Sequence, residues 1–283
     1  MTFLVTGATG HIGSLVTHRL IRGGHRPRVF VRDAARARAL FGDEVDMHVG
    51  DLARLGPALR KALAGSDGVF LLNSGPRLAS RDRAVVQVAV DAGVKHMVKL
   101  STLDVRTGVG TGPWHARGED AVRQSGMPYT FIQSAAFMSN VLGWAQSIAT
   151  EGVLRSSTGQ GRSAFIHPDD LADVITHALT TGEHMGESLV VTGPEALSYA
   201  AMAARIGAVI GKKVRYEELS DEEAHEAALR YGGGRRYADA LVDIWRAIRE
   251  GRLTTVSDGV ERLLGRKPLA FDRWLNQNAE AFQ

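Results

Sequence analysis

Along the first half of the chain, short apolar runs alternate with stretches in which apolar residues recur every three or four positions. Phe3-Leu4-Val5 leads into a glycine-containing stretch, and Ile12, Leu15, Val16 and Leu20 then follow at helical spacing. That pattern reads as strand, turn, helix. It returns at Val29-Phe30-Val31, Val45 to Val49, Val69-Phe70-Leu71-Leu72, Met97-Val98-Lys99-Leu100 and Tyr129-Thr130-Phe131-Ile132, with Ala- and Arg-rich helical segments in most of the gaps. Near-continuous apolar strands alternating with helices predict a parallel sheet covered on both faces, with ligands at the carboxyl ends of its strands.

From about Gly152 the regularity breaks. Phe165-Ile166 and Leu189-Val190-Val191 read as short strands, and 198–211, 221–230, 236–251 and 270–280 read as helices. Gly232-Gly233-Gly234 is a breaker between two of these helices and predicts a mobile loop. The expected organisation is an α/β Rossmann-type doubly wound parallel sheet over residues 1–151. A smaller, mixed α/β, substrate-facing region follows over 152–283, and the arrangement leaves room for chain segments to interleave.

Composition narrows the class. The 283 residues are 44% hydrophobic and 23% charged, an ordinary globular balance, and the net charge is only +3. No Lys/Arg run or aromatic-basic interleaving points to nucleic acid. No apolar run is long enough for a bilayer, and the Met1 to Val5 start is too short for a signal sequence, so a cytoplasmic protein acting on a small molecule is expected. Cysteine is absent, which excludes disulfides, thiolate metal sites and a cysteine nucleophile.

The most informative stretch is TGATGHIG, residues 6–13. In Gly7-x-x-Gly10-x-x-Gly13 the first glycine permits the turn out of the strand, the second admits a pyrophosphate close to the backbone, and the third lets the helix pack on the sheet. Thr9, His11 and Ile12 lie in the same turn, where helix amides and the helix dipole face a phosphate. A plain glycine turn is the alternative, but a strand before and a helix after favour dinucleotide binding.

TGATGHIG closely resembles the NmrA-like group of atypical short-chain dehydrogenases/reductases. So do VRD closing the second strand, GDL after the third, KLST at the fifth and SGMPYTFIQSAAFMSN at the sixth. AFIHPDDLADV, VVTGPEALSY and GRKPLAFDRWLNQNAEAF resemble that group's closing segments, so the likeness spans nearly the whole chain. The group contains NADPH-dependent quinone and azo-dye reductases, plant phenylpropanoid reductases and catalytically silent redox sensors that bind regulators. The resemblance implies the fold more closely than the activity.

Two neighbours compete to read the adenosine ribose. Asp33 suits the 2′-hydroxyl of NAD, and Arg32 suits the 2′-phosphate of NADP, with Arg36 and Arg38 adding positive charge nearby. In the resembling group the arginine of the VR pair takes the job, and NADP (NADPH) is therefore expected, with NAD as the alternative. Asp33 could equally cap the next helix. The resemblance places the adenine near Asp51 and Leu52, and Asn73 and Ser74 end the fourth strand where they would line the cofactor groove.

Typical short-chain dehydrogenases use Ser, Tyr and Lys, the last two spaced as Tyr-x-x-x-Lys. Ser101 stands where the group's Ser would be, but the Tyr-x-x-x-Lys pair is missing. TGPWHARGEDAV occupies its region, and if Glu119 matches the acid that follows the Lys, His115 falls at the Lys position and Thr111 at the Tyr position. His115, Ser101 and Thr111 are thus the catalytic candidates, His115 and Ser101 being cofactor contacts as well. A local hydrogen-bonding role is the plain alternative for His115. A metal held by His115 and Glu119 lacks a third ligand, and no metal is expected.

Phe137, Met138 and Asn140, after the sixth strand, are the substrate-binding candidates, although such apolar residues are more often core. Gln133 and Ser134 stand where the group often has Arg and Pro. His167, Asp169 and Asp170 read as a helix start, and Trp144, Trp245 and Tyr199 as packing residues. The leading functional reading is an NADPH-dependent oxidoreductase, an atypical short-chain enzyme that reduces a quinone or related conjugated acceptor. A silent NADP(H) sensor with a protein partner, or a biosynthetic ketoreductase or enoyl reductase, stands as the alternative.

Overall fold

The computed structural model describes residues 1–230 and 232–283. The repeated β/α alternation is realised as β1 (Phe3–Thr6), α1 (His11–Arg22), β2 (Arg28–Val31), α2 (Ala34–Phe41), β3 (Asp46–Val49), α3 (Pro57–Leu63), β4 (Gly68–Leu71), α4 (Leu78–Asp91), β5 (His96–Thr102), α5 (Gly112–Gln124) and β6 (Tyr129–Ser134). The remainder supplies β7 (Ala136–Phe137), α6 (Ala145–Glu151), β8 (Val153–Ser156), β9 (Arg162–Ile166), α7 (Pro168–Thr181), β10 (Glu187–Val191), β11 (Ala196–Ser198), α8 (Tyr199–Ile210), β12 (Arg215–Glu218), α9 (Asp221–Leu229), α10 (Arg235–Arg249), α11 (Gly259–Leu264) and α12 (Phe271–Gln277). No described helix is long and apolar enough to cross a membrane.

Seven strands form one parallel sheet in the order β10-β6-β5-β4-β1-β2-β3. The order reverses between β1 and β4, and in open α/β sheets that switch point is where ligands bind, outside the carboxyl ends of the strands. β1 and β4 are buried on both faces, as their unbroken apolar sequences require. At the edge, β3 is half exposed because Asp46 and His48 interrupt its apolar run; Val45 is buried, but the ladder with β2 begins at Arg28 opposite Asp46.

The chain divides into two compact units, and their segments interleave. The first takes Met1–Thr102, Trp114–Ser134 and Pro168–Leu189; the second takes Leu103–Pro113, Ala135–His167 and Val190–Gln283. Where the sequence suggests one boundary near Gly152, the chain crosses between units several times. The reason lies in the first unit's own bonding: Arg19 on α1 pairs with Asp169 at 2.8 Å and with Asp173 on α7, and β10 extends the sheet beside β6.

The second unit holds a three-stranded sheet, β11-β9-β7, and a parallel pair, β12-β8. Its core gathers Met138, Val141, Phe165, Tyr199, Met202, Ile206, Trp274 and Phe282. Trp144 meets Tyr199 edge-on at 5.4 Å and donates its indole N–H to the Arg155 carbonyl at 2.7 Å, while Trp245 packs on the same core. A capping box, Ser220 with Glu223, starts α9. Gly234 is the N-cap of α10, and Gly232 to Gly234 form the turn leading into it.

Candidate cofactor and active site

The glycine turn lies at the carboxyl end of β1. Gly7 has φ +64°, a conformation that suits glycine, and Gly10 closes the turn by donating its N–H to the Gly7 carbonyl at 2.9 Å. A Cβ on Gly13 would lie 2.1 Å from the Gly7 oxygen, so only a bare Cα lets α1 pack against the turn. A Cβ on Gly10 would meet nothing nearer than that same oxygen at 3.3 Å, and Gly10 is exposed. No side chain caps α1, and its first turn, with exposed His11 and buried Ile12 beside half-buried Thr9, carries no acidic residue. An uncapped helix start with an open approach is a fitting cradle for a pyrophosphate.

At the end of β2 the two ribose-reading candidates have different occupations. Asp33 is the N-cap of α2 and accepts a hydrogen bond from the Arg36 backbone N–H at 3.0 Å. The side chains of Arg32, Arg36 and Arg38 are exposed and form no ion pair among the described residues. Asp51 accepts from the Ala53 N–H at 2.8 Å within its own turn, and Leu52 packs partly buried against the core of the first unit.

Behind the ends of β4 and β5 is a fully buried ion pair. Lys99 Nζ on β5 lies 2.7 Å from Asp82 Oδ2 on α4, and both side chains are inaccessible to solvent. The other Asp82 oxygen accepts from Asn73 Nδ2 at 3.2 Å, and Asn73 Oδ1 accepts from the Ser74 N–H at 2.9 Å, so the Asn73 amide is held at both ends. α5 passes close by: a Cβ on Gly118 would come within 2.5 Å of Asp82 Oδ2 and 3.1 Å of Lys99 Cε.

On the next residue of α5, Glu119 anchors a second buried network. It accepts from Ser101 Oγ at 2.6 Å, from Gln133 Nε2 at 3.0 Å and from the Arg123 guanidinium at 2.9 Å. The Ser101 hydroxyl proton is therefore committed to Glu119. His115, on the turn of α5 before Glu119, is half-buried with an Nδ1 that is sealed from solvent and has no hydrogen-bond partner. Burial, seconded by the Lys99 ammonium, holds its pKa well below the usual imidazole value.

The remaining candidates belong to the second unit. Thr111, half-buried, sits in a loop fixed by the Gly110 N–H donating to Asp243 Oδ2 at 2.7 Å. Met138 is 1% exposed in that unit's core, Phe137 is half-buried and Asn140 is exposed in the 3₁₀ turn Met138–Trp144. His167 contacts Gln277 at 3.3 Å.

The sequence model of the NmrA-like family matches residues 1–250. The chain belongs to the NmrA-like family. This NmrA-like protein is 36% identical over 289 residues to the NAD(P)H azoreductase of Xenophilus azovorans, across 99% of this chain and 98% of the relative. It is also 36% identical over 288 residues to a (4-alkanoyl-5-oxo-2,5-dihydrofuran-3-yl)methyl phosphate reductase of Streptomyces griseus subsp. griseus, with the same coverage of 99% and 98%. Its fold matches the crystal structure of the NADPH-dependent quinone oxidoreductase of Escherichia coli complexed with NADPH, with a TM-score of 0.88 at 26% identity, covering 98% of this chain and 99% of that one.

In this NmrA-like chain the polar groups nearest Ser101 are tied into the protein. With its hydroxyl proton given to Glu119, Ser101 keeps lone pairs and acts as an acceptor. A neutral His115 can donate one N–H hydrogen bond, but is a far weaker acid than an imidazolium. The Lys99–Asp82 pair is only half legible in the sequence. Its signal was a lysine in the middle of an otherwise apolar strand, MVKLS, where a buried cation demands a partner. Nothing in SRDRAVV marks Asp82 as that partner.

Proposed function

We propose that the protein is an NADPH-dependent oxidoreductase that reduces a small conjugated acceptor, such as a quinone, an azo compound or a related aromatic carbonyl. The observation that carries the cofactor assignment is the division of labour at the end of β2. Asp33 is spent on capping α2, which leaves the unpaired Arg32 and Arg36 as the charges available to a 2′-phosphate. The turn Gly7 to Gly13, with Thr9, His11 and Ile12, would hold the pyrophosphate; Asp51 and Leu52 would border the adenine; Asn73, Ser74, Ser101 and His115 would line the nicotinamide half.

When bound, the nicotinamide supplies the hydride. The chain's own groups supply position more than acidity. Asn73 is held by Asp82 and by Ser74, so its place is set before any ligand arrives. Ser101 and neutral His115 are hydrogen-bonding groups and not strong proton donors. This arrangement suits electrophilic acceptors, whose reduction leans least on a general acid, and Thr111 with Phe137, Met138 and Asn140 would meet the substrate.

The Streptomyces relative, as similar as the azoreductase, favours a second reading: reduction of a conjugated carbon–carbon double bond. NADPH consumption measured against quinones, azo dyes, unsaturated lactones and simple ketones separates the two. Turnover confined to quinones and azo dyes supports the first reading, and turnover confined to unsaturated lactones supports the second. A ketone as best substrate contradicts both. Tight NADPH binding with no turnover on any acceptor makes the protein a sensor. Within an active protein, His115→Ala should lower turnover by about ten- to a hundredfold, less than the loss expected from a full general acid, and lower NADPH affinity only modestly.

A further inference from the structure

At the end of the sheet opposite the glycine turn, three coordinating side chains converge. His177 lies near the carboxyl end of α7, Gly182 turns the chain, and Glu183 and His184 follow at once. One donor atom from each of His177, Glu183 and His184 lies within 4.8 Å of the others. The turn that carries them is tied to the first residues of β6. Thr130 Oγ1 donates to the His184 carbonyl at 2.8 Å, and the Gly186 N–H donates to the Tyr129 carbonyl at 2.6 Å.

The spacing of these groups is informative. Within the cluster, His177 Nε2 stands 3.5 Å from Glu183 Oε2. That exceeds the roughly 2.7–3.2 Å of a well-made N–H···O hydrogen bond. Donors sharing a tetrahedral ion at bond lengths of about 2.0–2.1 Å would stand about 3.3 Å apart. His184 Nδ1 is in addition buried and makes no hydrogen bond, with Glu187 Oε1 standing 3.4 Å away, an unusual condition for a ring nitrogen.

We propose that His177, Glu183 and His184 form a binding site for one divalent transition-metal ion, with water completing its shell and Glu187 flanking His184. Two imidazoles and a carboxylate, with no thiolate in the chain, suit Zn²⁺ and its d-block neighbours. Ca²⁺ and Mg²⁺ favour all-oxygen shells. The bound ion would brace the end of α7 against the approach to β10. This site is separate from the dinucleotide cradle and does not depend on the reductase reading.

The test uses the full chain, stripped with a chelator and titrated with Zn²⁺ by calorimetry in the absence of NADPH. The expected result is one Zn²⁺ per chain. In His177→Ala and in His184→Ala the affinity should fall by more than the about 10–100-fold typical of losing an outer partner, with a smaller fall in Glu183→Gln. Both histidines are partly exposed, with side-chain accessibilities of 28% and 22%, so alanine opens no core cavity. His225→Ala, which removes a surface histidine paired with Asp239 at 2.9 Å, should bind as the wild type does. Co²⁺ gives a second readout: intense visible bands of a low-coordinate ion in the wild type and none in the two histidine variants. A wild type that takes up no Zn²⁺ overturns the proposal, as do histidine variants of unchanged affinity, which would reduce the cluster to surface ion pairs.

Discussion

His96 should make the protein sensitive to mild acid, and its surroundings set the size of the effect. The Thr130 hydroxyl gives its proton to the His184 carbonyl, so in the 2.9 Å contact with His96 Nε2 it can only accept. That fixes the neutral tautomer with the proton on Nε2 and leaves Nδ1 buried and without a partner. Protonating Nδ1 would place a cation in the interior with no acceptor, and burial lowers the His96 pKa to about 4. The folded value lies below the unfolded value of about 6.5, so the unfolded chain binds the extra proton first. Stability from this group is therefore complete above pH 6.5, declines as pH falls through the interval and levels off below about 4. Between pH 7.5 and pH 5 the loss is about 2 kcal/mol. His115, shifted in the same direction, adds to it.

The assay is urea unfolding followed by circular dichroism at the two pH values, for the wild type and for His96→Gln. Glutamine retains a donor for Thr130 but does not titrate. The pH-dependent loss should be smaller in the variant by about 2 kcal/mol. Equal pH dependence in the two proteins, or a His96 NMR resonance that titrates near 6.5, would refute the reasoning.

Four further outcomes follow from the site. Arg32→Ala should reduce the preference for NADPH over NADH by about ten- to a hundredfold, as expected from losing a charge-assisted contact of about 1.5–3 kcal/mol; paired titrations with both cofactors check it, and an unchanged ratio removes Arg32 from the ribose site. Gly13→Ala should destabilise the fold by about 1–3 kcal/mol through its contact with the Gly7 oxygen. Gly10→Val should unfold near the wild-type temperature yet bind NADPH poorly, and normal binding by it would dismiss the glycine turn as the cradle. Lys99→Met should destabilise by about 3–5 kcal/mol because Asp82 is left buried and unpaired, and adding Asp82→Leu should recover most of the loss in thermal unfolding.

The parts of the fold legible in the sequence were those encoded locally. β1, β2, β4, β5 and β6 are each centred on a short buried apolar run, and the glycine turn announces itself by spacing. β8 and β12, by contrast, read VLRS and RYEE, and nothing local pairs them. α11, six residues long, is too short for a periodic signal. The same division holds at the site. His115 and Ser101 could be placed by their position in a motif. The commitment of Ser101 to Glu119 depends on how α5 lies against β5, and the burial of Lys99 on Asp82 depends on α4. Asp33 was readable as either a ribose contact or a cap, and only its bond to the Arg36 amide distinguishes them.

The interleaving of the chain has a consequence during synthesis. β6 ends at Ser134, but its neighbour β10 begins at Glu187, after α6, β8, β9 and α7 have been made. At about 5–20 residues per second, the ribosome leaves that edge of the nascent sheet unpaired for roughly 3–10 s. An open, apolar strand edge is a template for pairing with other chains. A chain that stalls or is cut between α6 and α7 should therefore aggregate despite carrying an intact dinucleotide motif, and the whole first unit becomes available only when translation is two-thirds complete.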